Sequence, residues 1–190
     1  MADPAPDTPI AESPRFVAEE PELSRSLSRI AHEILEANRG SQDLVLLGIP
    51  TRGVFLARRL GALIAEVEGR PVRVGELDIT MYRDDLRNNP TRNPARTSIP
   101  GRIDDTVVVL VDDVLHSGRT IGAAIDALRD LGRPRAVRLA VLVDRGDREL
   151  PIAADHVGRT IRAGGDERVQ VLLSELDGRD AVTISRGVRR

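Results

Sequence analysis

Two adjacent aspartates, Asp112 and Asp113, follow the most apolar stretch of the chain, residues 106–111. A short, continuous apolar run is typical of a strand that is buried on both faces of a parallel sheet. Ligands of such sheets bind beyond the carboxyl ends of the strands. Carboxylates at that position can accept hydrogen bonds from two neighbouring hydroxyl groups, or hold a hydrated Mg²⁺. The pair therefore predicts a site for a vicinal diol.

The segment after the aspartates has the composition of a phosphate-binding loop. Residues 116–120 lead into an apolar periodicity that predicts a helix, so their backbone N–H groups lie at the positive end of the helix dipole. Gly118 allows a close approach of the backbone, and Ser117 and Thr120 add hydroxyl donors. A diol site and a phosphate site at this separation describe a ribose 5-phosphate.

Composition excludes several enzyme classes. All 28 basic residues are arginine, so the chain has no lysine for a Walker A loop, a pyridoxal phosphate Schiff base or the third strand of a protein kinase. It has no cysteine for disulfides or thiolate zinc sites. Two alternatives remain for the aspartates: a buried strand that ends in solvated carboxylates, and a Walker B-like pair, which the missing lysine disfavours.

The elements around the aspartates follow an α/β pattern. Helical spacing of apolar residues predicts helices around Leu23 to Ile34, Leu56 to Val67 and Ile121 to Leu131. Apolar runs between them predict strands over residues 43–49, 72–80, 106–111 and 135–143, with two further strands over 169–173 and 181–184. The fold class predicted is α/β, with an open, mainly parallel sheet and flanking helices.

The remaining segments complete the predicted organisation as one domain over residues 21–190. Residues 1–20 carry four prolines among acidic and small residues and are predicted to be a disordered tail. Residues 81–105 are predicted to be a long flexible loop, and residues from about 144 to 190 a small C-terminal hood over the sheet. No run approaches the ~20 apolar residues that cross a bilayer, and no secretory signal is evident, so a cytoplasmic protein without membrane contact is expected.

The stretch VVVLVDDVLHSGRT resembles the phosphoribosyl pyrophosphate (PRPP) motif of type I phosphoribosyltransferases. The resemblance implies that Asp112 and Asp113 bind the ribose hydroxyls, with Mg²⁺ held by the same pair through water. It implies that the 5-phosphate is bound by Val114, Leu115, His116, Ser117, Gly118, Arg119 and Thr120. His116 departs from the general motif, which prefers a small residue at that position.

Four further stretches, SRIAHEILEANRG, GIPTRGVFLARRL, GELDITMYRDDL and LVDRGDRELPI, resemble the PyrR family, pyrimidine-operon regulators that are also uracil phosphoribosyltransferases. This resemblance implies a pyrophosphate loop formed by Thr51, Arg52 and Gly53. It implies that Arg52 and Arg83 act with the two aspartates as catalytic residues, by stabilising charge on the departing pyrophosphate. Uracil would be bound by the backbone around Val157, Gly158 and Arg159.

The resemblance also implies two roles and several partners. The reaction is uracil plus PRPP giving UMP and pyrophosphate, with Mg²⁺ as cofactor, and the regulator binds pyrimidine-operon mRNA in response to UMP or other uridine nucleotides. A homodimer or higher homo-oligomer is expected. The RNA face would include Ser28, Arg29, His32 and Arg159, although Ala37 and Ala153 stand where basic residues are usual. The alternative is a salvage phosphoribosyltransferase for uracil or another base, without RNA regulation.

Overall fold

The structure is a computed structural model that describes residues 13–82 and 97–186. Its elements in chain order are β1 (Arg15–Glu19), α1 (Glu20–Asn38), β2 (Leu44–Gly48), α2 (Arg52–Glu68), β3 (Arg73–Glu76), a 3₁₀ turn (Thr80–Tyr82), β4 (Val107–Leu115), α3 (Arg119–Leu131), β5 (Ala136–Asp144), β6 (His156–Thr160), β7 (Glu167–Leu172), α4 (Ser174–Asp177) and β8 (Ala181–Arg186). No helix in these two ranges is both long enough and apolar enough to cross a membrane.

Five strands form one parallel sheet in the order β3-β2-β4-β5-β6. Strand β4 lies at the centre because its apolar residues Val107 to Val111 can be buried on both faces. All five residues of β2 are buried in the same way. The predicted fold class, an open and mainly parallel α/β sheet with flanking helices, is confirmed.

Helices cover both faces of this sheet, and alternate strand residues pack into two separate cores. On one face, Val109 and Leu46 pack with the apolar sides of α1 and α2. On the other face, Val108 and Leu47 pack with α3 and with Ile103. This two-sided burial fixes the carboxyl ends of the five strands at one edge, where the predicted site residues lie.

The second sheet is antiparallel and has three strands in the order β1-β8-β7. The prediction of a disordered tail over residues 1–20 is wrong for residues 15–20, because β1 pairs with β8 and α1 already begins at Glu20. Sequence patterning missed β1 because the strand is short and only Ala18 is fully buried. Residues 1–12 lie outside the described residues. The hood is therefore built from both ends of the described chain.

The predicted start of the hood, near residue 144, is also corrected. Strand β6 pairs with β5 in parallel and is the fifth strand of the main sheet. It was missed because HVGRT has only one large apolar residue, and because its burial depends on α1, which packs against it. On the C-terminal side, the hood sheet begins at β7.

The predicted flexible loop over residues 81–105 is fixed at both flanks. Met81 and Tyr82 end the 3₁₀ turn, and the Tyr82 hydroxyl donates to Asp130 of α3 at 2.7 Å. Ser98 pairs with Glu76, and Ile103 is buried in the core beside α3. Residues 83–96 lie outside the described residues, and with them the predicted catalytic residue Arg83.

Candidate active site

Asp112 and Asp113 lie within β4, three and two residues before its end, and not in the loop that follows. The Asp112 Oδ1 accepts the Asp113 backbone N–H at 2.9 Å, and the Asp113 Oδ1 accepts the Val114 N–H at the same distance. Asp112 is buried and Asp113 is half-buried. Burial raises the pKa of Asp113, although a hydrogen bond with Asp112, the Val114 N–H and the charge of Arg52 partly offset that rise. Both carboxylates are thus held rigidly by backbone donors.

The predicted pyrophosphate loop, Thr51 to Gly53, lies directly beside this pair. The Ile49 N–H donates to the Val111 carbonyl at 2.9 Å. A Cβ atom on Gly53 would collide with that same carbonyl oxygen and lie 3.2 Å from the Asp112 Cα. Only glycine permits this approach, which is why the turn into α2 can bring Arg52 within electrostatic reach of Asp113.

Arg52 is bound to the hood in this structure. Its Nη2 donates to both carboxylate oxygens of Asp177 in α4, at 2.9 and 3.0 Å. Burial alone would raise the pKa of Asp177, but the Leu173 N–H and Arg52 lower it on balance. About two turns further along α2, Arg59 binds Glu175 and Asp180. Sequence analysis missed these acidic partners, because neither their spacing nor their composition indicates which helix they face.

The predicted phosphate loop, residues 116–120, turns into α3, which begins at Arg119. Gly118 has φ 90° and immediately precedes α3, so the turn needs a glycine there. The Ser117 hydroxyl accepts the Arg119 N–H at 3.4 Å. Val114 and Leu115, also predicted to bind phosphate, are the last two residues of β4, and the Leu115 side chain is buried in the core.

Residues 144–150 pack against the phosphate loop. The Arg145 N–H donates to the Leu115 carbonyl at 2.9 Å, and the Leu150 N–H to the Ser117 carbonyl at 3.0 Å. Arg148 donates to the His116 carbonyl at 2.9 Å and binds both oxygens of Asp144 at 2.7 Å. Sequence reasoning did not assign Asp144, Arg145 or Arg148 to the site. The usable signal was the spacing of Asp144 and Arg148, four residues apart immediately after a strand.

A cleft lies above the ends of β5 and β6, next to the phosphate loop. Its volume is about 580 Å³, within the roughly 300–1,000 Å³ of small-molecule sites. Leu115 pairs with Asp144, and Asp144 with Thr160, so the cleft continues the edge that carries Asp112 and Asp113. This β5–β6 cleft is lined by Asp144, Arg145, Gly146, Asp147, Arg148, Thr160, Arg162 and Ala163.

The predicted uracil-binding and RNA-binding residues contact each other. Val157, Gly158 and Arg159 lie on β6, below the cleft, and α1 packs across them. Arg29 donates to the Val157 carbonyl at 3.2 Å and to the Gly158 carbonyl at 2.6 Å. Arg159 pairs with Glu22 at 2.9 Å. Within the backbone predicted to bind uracil, two carbonyls therefore accept hydrogen bonds from Arg29 of α1.

Ser28, Arg29 and His32 lie together on the outer side of α1. Arg29 and His32 are exposed and Ser28 is half-buried. The His32 Nδ1 lies 2.7 Å from the Ser28 carbonyl, which fixes its ring along the helix. With Arg159 beside Glu22, the structure brings all four predicted RNA-binding residues to the α1–β6 face.

The acidic residues at the strand ends suit a metal ion that is held mainly by its substrate. Among residues 13–82 and 97–186 there is no cluster of three or more acidic or histidine side chains that could hold a metal by itself. Mg²⁺ usually keeps several waters and binds through one or two carboxylates together with substrate phosphates. The Asp112–Asp113 pair fits that mode of binding.

An acidic pair in the central strand, a glycine turn before α3 and the Gly53 turn meet at one edge of a parallel sheet, the arrangement expected of a type I phosphoribosyltransferase. A family model described as the phosphoribosyl transferase domain matches residues 17–172. The hypoxanthine phosphoribosyltransferase of Trypanosoma cruzi shares the fold with a TM-score of 0.69, covering 92% of this chain and 97% of its own, at 17% identity.

Sequence comparison narrows the class to one family. The chain is 61% identical to the bifunctional protein PyrR of Leifsonia xyli, over 91% of this chain and 97% of the relative. It is 63% identical to that of Streptomyces coelicolor, over 90% and 89%. It is 54% identical to that of Mycobacterium tuberculosis, over 96% and 98%. The chain therefore belongs to the PyrR family of bifunctional phosphoribosyltransferases.

Proposed function

We propose that this protein transfers the ribose phosphate of PRPP to uracil, giving UMP and pyrophosphate, and that it also binds pyrimidine-operon mRNA in response to uridine nucleotides. The enzymatic part of this proposal is supported by the position of three loops at the edge of the main sheet where the strands have their carboxyl ends. Gly53 contacts β4 at Asp112, the phosphate loop follows β4, and Arg145 on the wall of the β5–β6 cleft bonds through its backbone N–H to Leu115 at the end of β4. The proposed binding sites for the diphosphate, the ribose phosphate and the base are therefore neighbours on this edge.

Each group of the substrate meets a matching part of this edge. The 5-phosphate lies at the phosphate loop, where the N–H groups of the first turn of α3 and its dipole favour an anion. The ribose hydroxyls donate to Asp112 and Asp113, whose positions are fixed by backbone N–H groups. Arg52 faces the diphosphate from the turn into α2. The Asp177 carboxylate also binds Arg52, so Asp177 and the diphosphate would share the Arg52 guanidinium.

Catalysis on this edge rests on position and charge. As pyrophosphate leaves, the anomeric carbon becomes cationic and negative charge develops on the diphosphate. Arg52, and Arg83 from outside the described residues, stabilise that negative charge, while the two carboxylates orient the ribose. Bound Mg²⁺ would supply further positive charge at the diphosphate and the ribose hydroxyls. Uracil bonds through N1 to the anomeric carbon as pyrophosphate departs, and its acidic N1–H proton is released to solvent.

The base lies in the β5–β6 cleft, and not along the whole of Val157 to Arg159 as the sequence suggests. The carbonyls of Val157 and Gly158 accept hydrogen bonds from Arg29, which leaves them poorly placed for a ligand. Arg145 and Thr160 line the cleft at the level of the last β4 residue. These groups can bind the carbonyl and imide edge of a pyrimidine.

The test is product formation together with nucleotide selectivity. Purified protein with uracil, PRPP and Mg²⁺ should form UMP, and calorimetry should give tighter binding of UMP than of GMP or AMP. Uracil transfer with equal affinity for the three nucleotides would leave the cleft without a role in selectivity. Transfer to a purine base in place of uracil would refute the proposed substrate and favour a purine salvage enzyme.

Arg52→Ala should reduce turnover far more than it reduces UMP binding. UMP has no diphosphate for Arg52 to contact, whereas removal of one charge-stabilising group typically costs about 10²–10³-fold in kcat. We expect UMP affinity to change by less than about threefold, or below ~1 kcal/mol. Arg58→Ala is the matched control, since Arg58 is an exposed arginine of the same helix paired with Glu76. Equal losses in turnover and UMP affinity would assign Arg52 to the fold or the nucleotide.

A further inference from the structure

Arg145 is a buried cation with few partners on the wall of the β5–β6 cleft. Only 9% of its side chain is exposed, and its Nη2 donates to the Gly164 carbonyl at 3.1 Å. Within the described ranges its Nε is buried without a hydrogen-bond partner. The Asp147 carboxylate is 3.8 Å away and its side chain is 58% exposed. A guanidinium this weakly paired destabilises the protein unless a ligand uses it.

His116, which lies in the phosphate loop, forms a hydrogen bond with this guanidinium. The Arg145 Nη1 lies 2.5 Å from the His116 Nε2. Because a guanidinium can only donate hydrogen bonds, His116 must present a lone pair at Nε2 and carry its proton on Nδ1. The Arg145 backbone N–H donates to Leu115, the residue before His116. Arg145 is therefore attached to the phosphate loop through both its backbone and its side chain.

We propose that His116 is a positioning residue for uracil transfer: as a neutral hydrogen-bond acceptor it orients the Arg145 guanidinium towards the base in the β5–β6 cleft. This inference rests on the proposed function, because it assumes that the cleft holds the base. His116 is the residue that departs from the general phosphate-loop motif, and its side chain bonds Arg145. The presence of histidine at this position thereby connects the proposed site of the 5-phosphate to the proposed site of the base.

The hydrogen bond between Arg145 and His116 requires that the His116 ring is neutral. Burial and then the charge of Arg145 lower the pKa of His116 below its usual value, and Arg148 acts in the same direction, whereas the carboxylates of Asp147 and Glu149 oppose the shift. His116 is therefore neutral at pH 7. As the pH falls below the ordinary histidine value of about 6.5 and through this lowered pKa, Nε2 gains a proton and opposes a cation. Arg145 then loses its orientation.

The experiment compares His116→Gln, which keeps an acceptor but does not titrate, with His116→Phe, which has none. Wild-type kcat/KM for uracil should fall on the acid side as His116 is protonated, and the part of that acid limb that comes from His116 should be absent in His116→Gln. At pH 8, His116→Phe should have about 10–100-fold lower kcat/KM for uracil than His116→Gln, the effect of one hydrogen bond to a charged group. The decrease in kcat/KM should be larger for uracil than for PRPP.

A double-mutant cycle separates positioning of Arg145 from support of the fold. In an Arg145→Ala background, His116→Phe should cost no more than about twofold, because the group that it orients is already absent. Full additivity, or an acid limb in His116→Gln that is identical to that of the wild type, would overturn the inference while UMP synthesis by the wild type continues. Failure of the wild type to form UMP would refute the proposed function, and this role with it.

Discussion

Replacing both Asp112 and Asp113 with asparagine should greatly reduce uracil transfer while the protein remains folded. Each hydrogen bond to a charged carboxylate contributes about 1.5–3 kcal/mol. Loss of two therefore predicts a decrease of about 10²–10⁴-fold in kcat/KM for PRPP. Asparagine also removes the negative charge that favours Mg²⁺ at this edge, which acts in the same direction. Steady-state kinetics with PRPP as the varied substrate measures the effect.

The structure gives the reason why the fold should survive this change. In each aspartate the bond to the following N–H group uses Oδ1, and asparagine has the same oxygen. Burial already raises the pKa of Asp113, so its charge opposes folding there and a neutral amide relieves that cost. The free energy of unfolding should change by less than about 1 kcal/mol.

Asp126→Asn is the matched control, since it removes an exposed carboxylate of α3 that pairs only locally with Arg129. It should leave transfer at the wild-type level. Near-normal kcat/KM in the double asparagine variant would reject this pair as the ribose site. Unfolding of that variant at much lower denaturant concentration would instead assign the pair to stability.

The central part of the fold was predictable because its signals are local. Buried runs such as Val107 to Val111, and the helical spacing in α1 and α3, identify elements whose apolar faces are complete within one segment. Strands β1 and β6 were not predictable in this way. Their burial comes from partners far along the chain, β8 for one and α1 with β5 for the other.

The residues of the candidate site show the same difference between local and long-range signals. Asp112 and Gly118 were predicted because a strand end and a glycine just before a helix are local features of the sequence, whereas Gly53 was implied by the family resemblance. Arg145 and Asp177 were missed because their significance lies in long-range contacts, with His116 in one case and Arg52 in the other. Burial without a partner, as at the Arg145 Nε, exists only in three dimensions.

Uridine nucleotides and leader RNA should bind this protein with coupled affinities. Coupling between two sites is reciprocal and is typically about 1–3 kcal/mol, or roughly 5–150-fold in affinity. UMP should therefore tighten binding to the leader of the protein's own pyrimidine operon, and the leader should tighten binding of UMP. The structure offers a connection, because Arg29 on the RNA face bonds to the β6 backbone, and the end of β6 at Thr160 lines the cleft.

Arg29→Ala combined with Arg159→Ala should weaken RNA binding and flatten its salt dependence. Each lost phosphate contact removes about one unit from the slope of log affinity against log salt, so the pair should remove about two. Uracil transfer should continue, since neither side chain lines the β5–β6 cleft. Both arginines also join α1 to its neighbours, so thermal unfolding of the variant must be measured in parallel.

His32→Ala distinguishes RNA contact from coupling, because among residues 13–82 and 97–186 the His32 ring bonds only to the carbonyl of Ser28 within its own helix. It should weaken RNA binding yet preserve the effect of UMP, whereas Arg29→Ala alone should reduce that effect by releasing the Val157 and Gly158 carbonyls. Salt titrations of leader binding with and without UMP, beside a UMP synthesis assay, measure these quantities. If the wild type binds its leader no better than an unrelated RNA, and UMP makes no difference, regulation by this chain is refuted and a salvage enzyme remains.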